Sequence, residues 1–354
     1  MKALLIHDPG PATTVQDFGR PGARRWGVPE SGTLRPDWLR LANTLLGNAP
    51  GAAALEMRLL GPRFEVAGDD GLRVAAAGPV ELKVTRAGGT HTVPAWQSIE
   101  LAPGDRVATG RVHAGTTALL AVAGGIDVPA VLDSRATYVR AGLGGFEGRA
   151  LAAGDRVPVG SSPACEPQAL PDPPVDDDSP IRVILGPQDD HFTQTAREAL
   201  LSQPFTITDQ VDRMGMRLSG PRLTHLDTAE IASDGIVPGA IQVPGNGAPI
   251  VLLADGQTVG GYPKIATVAR VDLGRLATMA PGAQVRFRAV SVAQAEDLLA
   301  RQAAALAQAI AGIRPMRMQD GIDLLQLYET NLVAGAVDVA QPDNFPGHLE
   351  GTQP

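Results

Sequence analysis

Met57–Phe64 reads MRLLGPRF and Met216–Leu223 reads MRLSGPRL. Further along, LAPGDRVATG from Leu101 and MAPGAQVRFR from Met279 each set a Pro-Gly step before an alternating stretch. The spacings are 46 residues from Gly61 to Val107 and 65 from Gly220 to Val285. Two echoes in the same order point to duplication of one β-rich unit, with extra residues in the second copy. The eight-residue match is the stronger half of that case.

Composition agrees. The chain has 354 residues, and at ~150 residues per domain that length suits two domains. Apolar residues make up 44% and aromatics only 4%, so the cores are built from Val, Leu, Ile and Ala. The 41 glycines and 30 prolines suit a turn-rich, mainly β chain with few helices. A net charge of -8 argues against a nucleic-acid or anionic-membrane surface, which needs a basic field. One cysteine, Cys165, excludes an intrachain disulfide and a Cys-rich metal site, and in its Pro-rich setting reads as an incidental thiol. No apolar run approaches the ~20 residues of a membrane span. MKALLIHDPG reads as a first strand rather than a signal peptide, so the expected location is cytoplasmic.

The clearest boundary is 161–180, SSPACEPQALPDPPVDDDSP, with six prolines and three consecutive aspartates. Such a stretch reads as an extended linker. The expected organisation is a first β unit over 1–160, the linker, a second β unit over 181–312 ending in a helix, and an extension over 313–354. Strands are expected at Leu72–Ala76, Val80–Thr85, Thr117–Ala123, Ile181–Leu185 and Ile250–Leu253. Helices are expected at Pro36–Leu46, Asp189–Leu201 and Ser291–Ile310, the last opened by a Ser291/Gln294 capping box. In the extension, LLQLYETNLVAGAVDVA reads as ordered and QPDNFPGHLEGTQP as frayed.

Several signatures are missing: the phosphate loop, a strand-linked G-x-G-x-x-G, the G-x-S-x-G elbow, and a biotin-accepting lysine segment. The six histidines show no metal-ligand spacing, so no metal is expected. Three segments nevertheless lock many polar residues among glycines: 13–32, Asp212–Gly215 and 233–265. Lys264 stands out, because the chain has three lysines against 27 arginines. A partly desolvated lysine can serve as electrophilic donor or base, with Asp234, Asp255 and Asp212 as candidate partners. It can equally be a solvated residue after a turn. Asp212-Arg213 reads as an internal ion pair or as a ligand contact. Gln16, Asp17 and Arg20 suit a polar ligand or turn caps, and Ser31 reads as a turn or cap residue.

Long motifs in a fixed order carry a family resemblance: TTVQDFGRPGARRWGVPESG, LANTLLGN, AALEMRLLGPRF, VAGGIDVP, RAGLGGFEGRAL, GPQDDHF, DRMGMRL and SDGIVPGAIQVPGNGAPIVLLADGQTVGGYPKIATV. Over about Leu4 to Val292 the chain resembles the family of the 5-oxoprolinase C subunit, also labelled biotin-dependent carboxyltransferase, urea amidolyase-related, or allophanate hydrolase subunit 2. The resemblance implies a mainly β fold of two tandem cyclophilin-like β-barrel domains. It implies partner subunits B and A, and ATP used by the assembled complex to open 5-oxo-L-proline to L-glutamate. A related domain in urea carboxylase moves a carboxyl group from biotin to urea, and one bacterial relative counters an inhibitor of a sporulation kinase. Gln257, Thr258, Gly260, Gly261, Tyr262 and Lys264 match the family pattern. Ser31-Gly32-Thr33-Leu34-Arg35 departs from the usual S-G-A-M-D by placing Arg35 at the acidic position, and Gly256 and Val259 depart as well.

Urea and 5-oxoproline share a planar N–H–C=O unit. On this reading Lys264 and Arg213 face the carbonyl oxygen or a transferred anion. Asp234, Asp255 or Gln257 take the N–H, and Gln16, Asp17 and Arg20 complete the pocket. The expected function is a non-self-sufficient subunit of an ATP-dependent amidohydrolase. The alternatives are a carboxyltransferase acting on urea, and a regulatory protein that sequesters its partner.

Overall fold

Glu81–Arg86, ELKVTR, buries Leu82 and Val84 and exposes the residues between, and Arg63–Ala67 likewise buries Phe64 and Val66. This period of two is that of strands with one wet face. Leu72–Ala77 and Thr117–Val122 differ: all their residues are buried. Both observations come from the computed structural model, which describes residues 2–316, 318–319 and 322–323.

The half-buried strands lie in a six-stranded sheet ordered Arg156–Pro158, Ala3–Asp8, Arg63–Ala67, Arg106–Thr109, Glu81–Arg86, Gly89–Pro94. The fully buried ones lie in a five-stranded sheet ordered Thr13–Gln16, Ala54–Arg58, Thr117–Val122, Leu72–Ala77, Ser98–Leu101. The two sheets share a core containing Leu4, Phe64, Leu55, Val74 and Leu120. The second face of the five-stranded sheet carries Ala54, Ala75, Ala77, Leu119 and Ala121. These mostly small side chains let helix α1 (Pro36–Thr44) lie on it through Trp38, Leu39 and Leu41.

Residues 181–289 carry one eight-stranded sheet: Gln284–Val285, Phe205–Val211, Gly215–Ser219, Ile250–Leu252, Ala240–Gln242, Lys264–Val268, Ile181–Leu185, Phe287–Ala289. Its first and last members are separated by Arg286 alone. One continuous stretch therefore pairs with Phe205–Val211 on one side and, in parallel, with Ile181–Leu185 on the other, giving a nearly closed, barrel-like sheet. Helices α2 (Gln194–Ser202) and α3 (Arg270–Ala277) add Ala196, Leu200 and Leu276 to its core. Leu34, from the first part of the chain, enters the same core. The long helix α4 (Val292–Ala311) has the expected capping box and rests its last turns, Leu306, Ala309 and Ile310, on the α1 cluster.

The Pro-Gly echo is a structural equivalence. Asp105 N donates to Ala102 O and Ala283 N to Ala280 O, both at 3.1 Å. Gly104 has φ 82° and Gly282 φ 85°, as required at the third position of a type II turn after proline. Each turn docks alike: Gly104 N reaches Val66 O and Gly282 N reaches Ile207 O. The eight-residue echo does not correspond in this way. Met57 lies in a strand between Thr13–Gln16 and Thr117–Val122, whereas the Met216 strand lies between Phe205–Val211 and Ile250–Leu252. Only in the first copy does Gly-Pro lead into the strand beside the Pro-Gly turn. In the second half that strand, Phe205–Val211, precedes the echo.

Ile181–Leu185 forms as expected, and the other four expected strands agree to within one residue at each end. The helix expected at 189–201 splits into a 3-10 turn, Asp189–His191, and α2, because the Thr193 side chain caps Ala196 N and restarts the helix there. Segment 161–180 is extended and pinned: Arg73 Nη2 donates to Pro163 O (2.9 Å), Leu170 is buried, and Asp176 accepts from Arg35 Nη1 (2.7 Å). Residues 1–314 form one unit. Residues 315–354 form another, in which Met318–Gln319 pairs with Ile322–Asp323. The two tail stretches read from sequence, from Leu324 onward, lie outside the described residues.

Candidate functional site

Two polar clusters gather most of the residues singled out from sequence. The first centres on Arg213, at the turn between Phe205–Val211 and Gly215–Ser219. Its guanidinium donates to both oxygens of Asp255 (2.9 and 3.3 Å), to Glu56 Oε1 and to Gly32 O. Glu56 Oε2 in turn accepts from Thr33 Oγ1 (2.9 Å) and Leu34 N (2.7 Å). Glu56 and Asp255 are buried, so this is an ion-paired clamp joining the first part of the chain to the second. Burial depresses the guanidinium's affinity for its proton, but Glu56 and Asp255 more than offset that and hold the pKa above its ordinary value. Asp212 does not pair with Arg213. Its Oδ1 accepts from Met214 N (2.8 Å) and Gly215 N (3.1 Å), capping the turn that aims Arg213.

The second cluster centres on Lys264, which opens the strand Lys264–Val268 opposite Gln242. The Lys264 side chain is 3% exposed, and its Nζ donates to Asp234 Oδ2 at 2.9 Å, while the Asp234 side chain is 53% exposed. A sequestered ammonium thus meets solvent through one carboxylate. One amide side chain, Gln188, touches the pair, and two more, Gln242 on the neighbouring strand and Gln257, bond to each other. Gln188 Oε1 accepts from Lys264 N (3.1 Å), and Gln188 Nε2 approaches Asp234 Oδ2 (3.4 Å). Gln257 Nε2 donates to Gln242 Oε1 (3.3 Å), and Gln242 Nε2 to Tyr262 O (3.4 Å). Gly260 pairs with Asp234 in a short ribbon, where a Cβ would stand 2.7 Å from Ile236 Cδ1 and 3.0 Å from Gln242 Nε2. A side chain there would fill the space the amides occupy. Thr258 O and Gly261 O fasten the ribbon by accepting from Ile236 N (2.9 Å) and Ile231 N (2.8 Å), and Tyr262 is exposed beside it. Arg24 ties the segment 13–32 to this ribbon through Ile236 O and Gln257 O.

Gln16, Asp17 and Arg20 turn instead to the loop 131–137. Gln16 Nε2 donates to Thr137 O (3.1 Å). Asp17 accepts from Ser134 Oγ (2.7 Å) and Arg135 N (2.6 Å), and Arg20 donates to Ala136 O. They form an internal brace. Gln16 Oε1, Arg20 Nη1 and Ser31 Oγ are buried without a partner among the described residues. Arg35, at the family's acidic position, is buried between Asp37 and Asp176 over the Trp38 ring and belongs to neither cluster. Sequence reasoning missed Glu56, Gln188, Gln242 and Arg24. Glu56 alone carried a signal: it is the one acidic residue in the otherwise largely apolar run AALEMRLL.

Lys264, then the Gly235 N–H, hold the Asp234 carboxyl below the usual carboxylate range. A depressed folded pKa contributes stability that is present above the unfolded value and lost as pH falls through the folded one. The pair is therefore intact at neutral pH and opens only in acid below the ordinary aspartate titration. A carbon-detected NMR titration should place the Asp234 midpoint below 3.8 and return it toward 3.8 in Lys264→Met. An unshifted midpoint in the parent protein would contradict the pairing.

Among the described residues no group of acidic, histidine or cysteine side chains could hold a metal ion. No described helix is long and apolar enough to cross a membrane. The family described as carboxyltransferase domain, subdomain A and B, matches residues 26–289. The chain is 38% identical over 299 residues to the C subunit of 5-oxoprolinase from Escherichia coli (strain K12), covering 84% of this chain and 94% of that one. It is 33% identical over 335 residues to urea amidolyase of Lachancea kluyveri, covering 86% of this chain and 18% of the relative. The crystal structure of K. lactis urea amidolyase superposes with a TM-score of 0.79 at 29% identity, covering 90% of this chain and 20% of that one. The chain thus spans a small part of the urea amidolyases and nearly all of the bacterial subunit.

Proposed function

We propose, from the premise that this chain belongs to the carboxyltransferase domain, subdomain A and B family, that it is the C subunit of an ATP-dependent 5-oxoprolinase. With subunits A and B it opens 5-oxo-L-proline to L-glutamate. The observation that carries this reading is coextension: the match fills 94% of a protein named as the C subunit of 5-oxoprolinase. The same reading treats 1–160 and 181–312 as two tandem cyclophilin-like barrels joined by 161–180, and two apolar cores support it, one drawn from 4–159 and one from 181–287 with Leu34.

The Lys264 cluster suits a planar amide. The Lys264 ammonium turns from Asp234 to the carbonyl oxygen and stabilises the negative charge that gathers there as water adds to the carbon. Asp234, freed and solvent-facing, accepts the N–H, and the Gln242–Gln257 amide pair fixes the plane. The C–N bond then breaks, the two protons of the attacking water pass to the nitrogen, which leaves as an ammonium, and the carbon becomes the new carboxylate. Arg213 and Asp255 act here as positioning residues that hold the 255–264 stretch. ATP supplies activation of the lactam carbonyl. ATP is assigned to the assembled complex, and no step here runs through it.

The urea amidolyase match favours a second reading, carboxyl transfer to urea, since urea presents the same N–H–C=O face. One assay separates the two: glutamate formation from 5-oxo-L-proline and ATP by this chain with its cognate subunits, singly and together. Turnover only with all three is the expected result. An assembled complex that makes no glutamate but consumes urea in the presence of a biotinylated carrier would overturn it.

A further inference from the structure

The clamp of Arg213, Glu56 and Asp255 floors a cavity of about 360 Å³ at the seam between the two parts of the chain. That volume lies within the range of small-molecule sites. Leu34, Met57, Val139 and Met214 make much of its wall apolar, and its polar groups are unevenly committed. Both oxygens of Glu56 and both of Asp255 already accept hydrogen bonds inside the clamp, and Asp212 Oδ1 caps its own turn. The cations are less engaged. Arg58, half-buried on the strand Ala54–Arg58, makes one hydrogen bond, from Nη2 to Val211 O (2.9 Å). Arg140, carried over the cavity by the 3-10 turn Val139–Ala141, has no hydrogen-bond or ion-pair partner among the described residues. Burial pushes the Arg58 guanidinium down, and Asp212 and Glu56 offset this only in part.

We propose that this cavity binds a small organic carboxylate with a largely apolar body, seated by Arg58 and Arg140. A guanidinium fork presents paired N–H groups that match a carboxylate. Asp212 lies at the same wall to accept an N–H from the ligand body. Neither arginine takes part in the Lys264 cluster, so the site stands apart from the amide chemistry proposed above.

Calorimetric titration of the full chain tests this with three probes: 5-oxo-L-proline, 2-pyrrolidinone (the same ring without the carboxylate) and inorganic phosphate. The expected result is binding of 5-oxo-L-proline about tenfold or more tighter than of 2-pyrrolidinone, as charge-assisted hydrogen bonds allow. Arg58→Gln and Arg140→Gln should each weaken 5-oxo-L-proline by about tenfold and leave 2-pyrrolidinone unchanged. Arg140 is exposed, so its variant keeps the test valid where the Arg58 variant misfolds. The titration is repeated in Lys264→Met, where the carboxylate preference should persist even when the complex makes no glutamate. Equal binding of the two lactams, or variants that bind like the parent, would overturn the proposal. Phosphate binding tighter than 5-oxo-L-proline would reassign the seat to a phosphorylated ligand.

Discussion

Replacing Arg213 with methionine is expected to lower the unfolding free energy by about 3–5 kcal/mol, the usual cost of stranding buried charge. Among the described residues the guanidinium is the one cation between Glu56 and Asp255, which are buried on opposite sides of the seam. Methionine fills similar volume, so the loss reports charge and hydrogen bonding rather than a cavity. Adding Glu56→Gln and Asp255→Asn to Arg213→Met should recover much of the loss, because neutral amides tolerate burial without a counter-ion better than carboxylates do. Urea unfolding of the three proteins reads this as shifts in midpoint. A single variant within experimental error of the parent would show that the seam is held elsewhere, by Leu34, by the Thr116–Thr278 backbone contact, and by Arg24 and Arg58.

Lys264→Met should do the reverse: leave the urea midpoint nearly unchanged and reduce turnover of the assembled complex by about 10²–10³, the effect of removing one donor from a developing oxyanion. Methionine keeps the apolar stem packed, and Asp234 rehydrates because it already faces water. Two ion pairs in one molecule thus respond differently because of where their carboxylates lie. Turnover should be measured with assembly checked by size exclusion. Near-parent turnover would remove Lys264 from the chemistry, and loss of assembly would give it a structural role.

The parts of the fold legible in sequence were those with local causes. The Ser291/Gln294 box fixed the start of α4, and proline followed by glycine fixed both type II turns. Helix α3 was not legible: it opens at Ala269 without a side-chain cap and follows a strand with no glycine or proline between. At the site, Lys264 and Asp234 stood out because lysine is rare and the segment is glycine-rich. Glu56 as the second partner of Arg213 did not, since it lies 157 positions away and only the packing of the seam brings them together. The adjacent pair Asp212-Arg213 suggested a local ion pair, but a turn needs its carboxylate at the backbone N–H groups, which sends the arginine across the seam.

The near-closure of the eight-stranded sheet bears on how the chain is made. Ile181–Leu185 leaves the ribosome first, but its parallel neighbour Phe287–Ala289 emerges about a hundred residues later. Until then two strands expose unpaired N–H and C=O groups, a template for mispairing with other nascent chains. Once residues 284–289 arrive, both rims are covered in a single event. The window of aggregation risk therefore ends with those six residues, and slowing translation just before them would lengthen it.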